Sequence, residues 1–202
     1  MSYPTQGGNR LGNAQPHVVS TLDGQVMAMC SNGDLTNYWH IRDQLEGAGI
    51  EFVGTNDAEL LLKHTAYWHI RAGLPLVDAL RITQRDVLGA YSACLMTRDA
   101  LYAMRDPYAV RPLAFGGDDG HWVVASETEA LDIARVDLID EVDAGEIVRF
   151  DGHSLSRLPH PDVVAARGGR PHPAHCIFEH VYFSRPDSIT FGQRTYDVRK
   201  RI

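Results

Sequence analysis

Apolar and polar residues follow two different patterns along the chain, and the change between them comes near residue 89. Before it, apolar positions recur mostly at helical spacing, whereas after it they form short blocks that are typical of strands. The pattern predicts helices over residues 36–46, 57–72, 76–83 and 127–134, and strands over residues 25–30, 51–53, 90–97, 100–105, 112–116, 122–125 and 146–150. Helices followed by antiparallel strands indicate a layered α+β domain.

The first predicted strand runs into Ser31-Asn32-Gly33-Asp34, which predicts a tight turn because Asn and Gly tolerate positive φ. The amide of Asn32 and the backbone N–H of Gly33 are two donors that such a turn can direct at a developing oxyanion. Taken alone, the dipeptide is more typical of a plain turn. Its catalytic interpretation therefore needs support from other parts of the chain.

Asp57 stands where the second helix is predicted to begin, ahead of an apolar stripe formed by Ala58, Leu61, Leu62, Thr65 and Trp68. A carboxylate at this position is suited to holding the ammonium group of a substrate. An N-cap that satisfies the first amides of the helix is the simpler interpretation.

The formal charge is −7, from 19 Lys and Arg against 26 Asp and Glu, and basic residues form no stripe. Because binding to a phosphate backbone requires such a stripe, nucleic acid is not an expected partner. No run of 18 apolar residues and no signal-peptide pattern occur, so no membrane association and a cytoplasmic location are expected.

Three cysteines at wide spacing argue against a disulfide framework. Cys30 and Cys94 lie in apolar strand patterns and are interpreted as buried structural thiols. His172, His175 and Cys176 form a cluster, but they sit in a Pro-rich stretch without a second ligand pair, which favours a solvated linker over a zinc site.

Several segments together resemble the amidophosphoribosyltransferase family, also called glutamine phosphoribosylpyrophosphate amidotransferase. The Asn32-Gly33 segment is similar to the oxyanion turn of the family, and Asp57 matches its substrate-binding aspartate. The matching segments, which follow the order of the family and span nearly the whole chain, are residues 3–7, 12–16, 31–37, 55–59, 89–92, 105–113, 125–127 and 176–188.

The resemblance implies an N-terminal-nucleophile fold, the αββα sandwich of class II glutamine amidotransferases, incomplete at its N-terminus. It implies an enzyme, both glycosyltransferase and amidotransferase, of purine biosynthesis that converts glutamine, phosphoribosylpyrophosphate (PRPP) and water to phosphoribosylamine, glutamate and pyrophosphate. In this reading Asn32 and Gly33 hold the oxyanion, while Asp57 and Thr5 bind L-glutamine. Residues 1–152 are expected to form a partial glutaminase domain, and residues 153–202 a linker and the start of a phosphoribosyltransferase domain.

The chain departs from the family pattern at the nucleophile, which the family provides as an N-terminal cysteine and this sequence does not. Without it, the chain alone is expected to have little or no glutaminase activity. Ser31 and Asp34 replace a histidine and an asparagine of the oxyanion segment, and Ala109 stands where the family has glycine.

By resemblance, the full-length parent uses Mg²⁺, has an expected homo-oligomeric state and, in some members, carries a 4Fe-4S cluster for which Cys176 matches one ligand. One thiolate cannot hold a cluster, so no cofactor or metal is expected in this chain alone. The alternative interpretation is a non-catalytic module, derived from the class II glutaminase fold, that binds glutamine or a partner protein.

Overall fold

The computed structural model describes residues 10–21, 24–118, 120–152, 154–159 and 173–202. The chain forms two compact units, divided between Arg98 and Asp99. No helix in these ranges has both the length and the apolar character needed to cross a membrane.

The first unit combines an antiparallel sheet with helices. Its strands pair in the order β1-β2-β3 and cover His17–Ser20, Val26–Leu35 and Gly89–Met96. Its helices are α1, α2 and α3, over Tyr38–Gly47, Asp57–Ala66 and Leu76–Asp86, with a 3-10 turn at Leu11–Asn13 and a π-helical turn at Tyr67–Arg71. The three predicted helices are therefore confirmed.

Helix α2 is the centre of this unit, since it contacts β1, β2, α1 and α3. Leu60, Leu61 and Leu62 are fully buried, so the apolar surface extends around the helix beyond the predicted stripe. A helix that is buried on most sides must satisfy or neutralise every polar side chain that it carries. That requirement applies to Asp57 and Glu59, both of which are buried at its start.

Asn32 and Gly33 lie inside β2, so the tight turn predicted for them is wrong. The strand continues to Leu35, with Asn32 opposite Ser92 and Gly33 opposite Tyr91 on β3. Gly33 serves close approach, not positive φ: a Cβ built there would collide with the carbonyl oxygen of Ala90 and lie 2.7 Å from the Tyr91 Cα. The dipeptide signal for a turn is therefore overridden by the pairing of two strands.

Cys30 and Cys94 are not buried as the sequence predicted: Cys30 is exposed and Cys94 is half-buried. Their strand neighbours Met29 and Leu95 are the residues that enter the core. Since successive side chains on a strand point to opposite faces, the two thiols lie on the face away from that core.

The second unit contains two antiparallel sheets. One has strands in the order β4-β8-β9, over Leu101–Arg105, Ile147–Asp151 and Ser154–Leu158. The other has the order β6-β5-β7, over His121–Ala125, Ala114–Asp118 and Leu138–Glu141. Helix α4 covers Glu129–Ala134, and the end of the chain forms a π-helical turn at Glu179–Phe183, the hairpin β10–β11 at Ile189–Thr190 and Gln193–Arg194, and helix α5 at Thr195–Arg199.

Three further differences from the predicted elements have local causes. Residues 51–53 form no strand, because their backbone bonds to side chains of α2 instead of a neighbouring strand. Strands β7 and β9 were missed because they are mostly exposed and show no apolar alternation. Helix α4 begins after Thr128 and not after Ser126, without a side-chain cap.

The segment from Arg105 to Arg111 is a loop organised by a buried carboxylate. Asp106 accepts hydrogen bonds from the amides of Tyr108 and Val110, both at 2.9 Å. Ala109, enclosed by this loop, has φ of 49° and is buried. A left-handed backbone favours glycine, because glycine alone adopts positive φ without a steric cost.

Replacing Gly33 by alanine is expected to lower the free energy of unfolding by about 1–3 kcal/mol, because β3 must move to admit the methyl group. The measurement is urea unfolding of the variant. Gly47→Ala is the matched control, since a Cβ there meets nothing within 4 Å, and it is expected to be neutral or stabilising by up to about 1 kcal/mol. Equal losses in both variants would contradict the close approach at Gly33.

At Ala109, substitution by a β-branched residue is expected to be much more destabilising than substitution by glycine. Ala109→Val is expected to cost about 2 kcal/mol or more, since valine disfavours positive φ and the site is buried. Ala109→Gly relieves strain but loses a methyl contact, so its stability is expected to stay within about 1 kcal/mol of the wild type. Thermal unfolding of both variants checks this, and a glycine variant as unstable as the valine variant would contradict it.

Candidate functional site

The candidate site lies where α2 begins beside the end of β2. Asp57 is the first residue of the helix and only 5% exposed. The predicted cap at Asp57 is wrong, because Asn56 is the N-cap: its Oδ1 accepts a hydrogen bond from the Ala58 amide at 2.9 Å. The neighbouring asparagine thus leaves the Asp57 carboxylate available for another role.

Among the described residues, neither carboxylate oxygen of Asp57 has a hydrogen-bond partner. Burial, together with the negative charge of Asp34, raises the pKa of the Asp57 carboxyl to about 7. The Leu35 amide acts in the opposite direction, without reaching hydrogen-bonding geometry. Asp57 is therefore a buried acid whose charged form has no counter-charge among the residues that the structure describes.

Two residues of β2 affect the pKa of Asp57, and they come immediately after the predicted oxyanion pair on that strand. Asp34 and Leu35 come immediately after Asn32 and Gly33. The fold thus brings Asp57 next to the end of the strand that the sequence singled out. Thr5, the other predicted glutamine-binding residue, lies outside the described residues.

One short segment, Asn13 to Gln15, holds both sides of this site. The side chain of Gln15 pairs with the backbone of Ser31: its Oε1 accepts from the Ser31 amide at 2.6 Å, and its Nε2 donates to the Ser31 carbonyl at 3.1 Å. Asn13 Oδ1 accepts from the Thr55 amide at 2.8 Å. The segment therefore fixes β2 one residue before Asn32, and the loop two residues before Asp57.

Glu59 fixes the same loop from the helix side. Its carboxylate accepts from the amides of Val53 and Gly54 at 2.7 and 2.8 Å and pairs with Lys63 at 2.6 Å. Burial acts to raise the pKa of Glu59, but these hydrogen bonds and the Lys63 charge hold it below its usual value. Arg42 closes the arrangement by donating to the Gly54 carbonyl at 2.8 Å.

Two buried carboxylates on one helical turn thus have opposite environments. Glu59 is saturated with donors, whereas Asp57 has none among the described residues. The positive end of the helix dipole contributes about 0.3–1 kcal/mol to a charge at this position. That is less than the penalty of roughly 1–3 kcal/mol for an unsatisfied buried polar group. The chemical partner suited to such a carboxylate is a cationic donor, such as a primary ammonium.

Asn13, Gln15 and Glu59 were not predicted as site residues, although each lies inside a segment that carries the family resemblance. Their role is positional, since they bond to backbone of the site and not to one another. The family motifs include these residues in the sequence, but only the structure shows which backbone groups they hydrogen-bond.

The predicted metal ligand Cys176 lies in the second unit, where its amide donates to the Val110 carbonyl at 3.2 Å. In the part of the chain that the structure describes, no three His, Cys, Asp or Glu side chains are grouped to hold a metal ion.

The chain is similar to known proteins along most of its length. Residues 9–133 match the family described as glutamine amidotransferase domain. The chain is 34% identical over 211 residues to an amidophosphoribosyltransferase of Methanocaldococcus jannaschii, covering 99% of this chain and 44% of the relative. It is 38% identical over 202 residues to the chloroplastic amidophosphoribosyltransferase 2 of Arabidopsis thaliana, covering 98% of this chain and 33% of the relative.

Among solved structures, the chain is similar to the glutamine PRPP amidotransferase from B. subtilis complexed with ADP and GMP. The TM-score is 0.80 at 29% identity, over 94% of this chain and 39% of that one. The chain thus spans less than half of the length of these relatives. The predicted α+β fold of class II glutamine amidotransferases is confirmed. Asp57 and the strand β2 that ends beside it both lie within the matched residues. The chain belongs to the glutamine amidotransferase domain family.

Proposed function

We propose that Asp57 binds the α-ammonium group of L-glutamine, within the glutamine-binding half of an amidophosphoribosyltransferase. The observation that carries this proposal is the buried carboxylate of Asp57, which has no hydrogen-bond partner among the described residues. The relatives are named amidophosphoribosyltransferase, and a site that binds glutamine fits the reaction of such enzymes.

The electrostatics of Asp57 favour a cationic ligand over a neutral or anionic one. The carboxyl has a pKa raised to about 7, so at neutral pH its charged and neutral forms are both populated. An ammonium group at hydrogen-bond distance stabilises the charged form and replaces the water that burial removed. A ligand carboxylate at the same place would add a third negative charge beside Asp34.

Asn32 and Gly33 are proposed to donate hydrogen bonds to the side-chain carbonyl oxygen of the same glutamine, where the oxyanion develops. What supports this is their position on β2, directly before the two residues that act on Asp57. Thr5 is proposed to line the same pocket. Donors of this kind stabilise charge that develops on the carbonyl oxygen during attack, but they need a nucleophile to produce turnover.

The whole-protein function is proposed from the relatives. It is the conversion of glutamine and PRPP to phosphoribosylamine, with residues 1–152 as the glutaminase domain and residues 153–202 leading into the phosphoribosyltransferase part. Mg²⁺, an iron–sulfur cluster with Cys176 as one ligand, and homo-oligomerisation are predictions for the full-length enzyme. The step proposed for this chain itself is glutamine binding.

The sharpest test is calorimetric titration of the chain and of Asp57→Asn with L-glutamine. Asparagine keeps the shape of the side chain but cannot carry charge, so the variant is expected to bind at least about tenfold more weakly. Glutaramate, which is glutamine without the α-amino group, is expected to bind the wild type as weakly as glutamine binds the variant. Asp34→Asn is the matched control, since it removes an exposed charge near Asp57 and is expected to retain binding.

The same variant reports on folding. The pKa of the Asp57 carboxyl rises from 3.8 to about 7 on folding, so the wild type loses stability as the pH rises through that window. Asp57→Asn is therefore expected to be about as stable as the wild type at pH 4 and more stable, by roughly 4 kcal/mol, at pH 8. A variant that is well folded, more stable and unable to bind glutamine supports the proposal. Undiminished binding by Asp57→Asn, or equal binding of glutaramate, would contradict it.

A further inference from the structure

Cys30 and Cys94 are direct neighbours across the β2–β3 ladder. The register places them opposite each other in antiparallel strands. Directly opposed residues in such a ladder have Cα atoms about 4.5–5.5 Å apart. A disulfide requires a Cα separation of roughly 4.4–6.8 Å. The two positions therefore satisfy the main geometric condition for a disulfide bond without movement of the backbone.

Both thiols are reduced, and they lie on the sheet face that is turned away from the core. Cys30 is exposed and Cys94 is half-buried, while Met29 and Leu95, one residue along on each strand, are almost completely buried. A small reagent in solvent can therefore reach Cys30 without unfolding of the core. The Cys94 thiol is within hydrogen-bonding reach of Cys30.

We propose that Cys30 and Cys94 are a redox modification site. A low-molecular-weight disulfide of the glutathione type oxidises the two thiols there to a reversible cross-strand disulfide bond. This proposal does not depend on glutamine binding or on the amidophosphoribosyltransferase reaction.

The exchange proceeds in two balanced steps. The Cys30 thiolate attacks one sulfur of the small disulfide, which forms a mixed disulfide and releases one small thiolate. Cys94 then gives its proton to the first released small thiolate and attacks the Cys30 sulfur, which forms the cross-strand bond and releases the second small thiolate. Two protein thiols are oxidised, and one small disulfide is reduced to two thiols.

The electrostatics of the pair assign the order of these steps. The hydrogen bond from the Cys94 thiol holds the pKa of Cys30 below its usual value, despite partial burial. The same interaction, with burial, raises the pKa of Cys94. Cys30 is thus the attacking thiolate, and Cys94 resolves the mixed disulfide once its partner is no longer charged.

The site is adjacent to the proposed oxyanion strand. The next pair on the same face of the ladder is Asn32 opposite Ser92. A covalent link one pair away restricts the separation of β2 and β3 where Asn32 must be held. An effect of oxidation on glutamine affinity would rest on the proposed function, so the decisive readout is the state of the thiols.

The experiment treats the full chain with glutathione disulfide, followed by thiol titration, intact mass and peptide mapping. The expected result is loss of two of the three thiols, a mass decrease of about 2 Da, and a peptide linking Cys30 to Cys94 that dithiothreitol releases. Cys176→Ser is the matched control and is expected to show the same linkage. Cys94→Ser is expected to stop at a glutathione adduct on Cys30.

Three results would overturn the proposal: a stable glutathione adduct on wild-type Cys30, linkage through Cys176 instead, or three thiols that stay unmodified. Serine replaces each thiol with little change in shape, and circular dichroism of the Cys94→Ser and Cys176→Ser variants verifies that both are folded. A change in glutamine affinity without the Cys30–Cys94 peptide would count against the proposal, since it would place the effect elsewhere.

Discussion

The carboxylate of Asp57 is removed from water at the first turn of α2, and no described residue donates a hydrogen bond to it. The surrounding structure is arranged to keep it there. Asn56 takes over the capping of the helix, Glu59 and Asn13 fix the preceding loop, and Gln15 holds the strand that ends beside it. These four side chains thus hold the backbone around Asp57, whereas its carboxylate has no partner in the part of the chain that the structure describes.

The contrast between Glu59 and Asp57 indicates why such an arrangement persists. Both acids are buried on the same turn, but among the described residues only Glu59 receives donors and a cation. A protein selected for stability alone would satisfy both, since an unsatisfied buried acid costs on the order of 1–3 kcal/mol. The proposed binding of a ligand ammonium would explain the difference, because the partner of Asp57 would then come with the substrate.

Sequence reasoning located the helices of the first unit and the segments that form the site, because apolar periodicity and motif order are local properties. It failed where a distant strand decides the outcome. Asn32-Gly33 has the local signature of a turn, yet pairing with β3 extends it as a strand and demands glycine for space. Cys30 and Cys94 occur in apolar runs, and only the register shows that they share the outer face. That no described residue bonds to the Asp57 carboxylate could not be predicted either, because it depends on what Asn56 and Glu59 bind.

The central claim is that Asp57 carries a perturbed charge which a bound ammonium corrects. The most direct measurement is an NMR titration of the Asp57 carboxyl carbon in the full chain, with and without saturating L-glutamine. The account predicts a midpoint near 7 in the free chain, and a midpoint lower by about two pH units or more in the complex. A carboxyl that titrates near its ordinary value in the free chain, or whose midpoint glutamine leaves unchanged, would contradict the account.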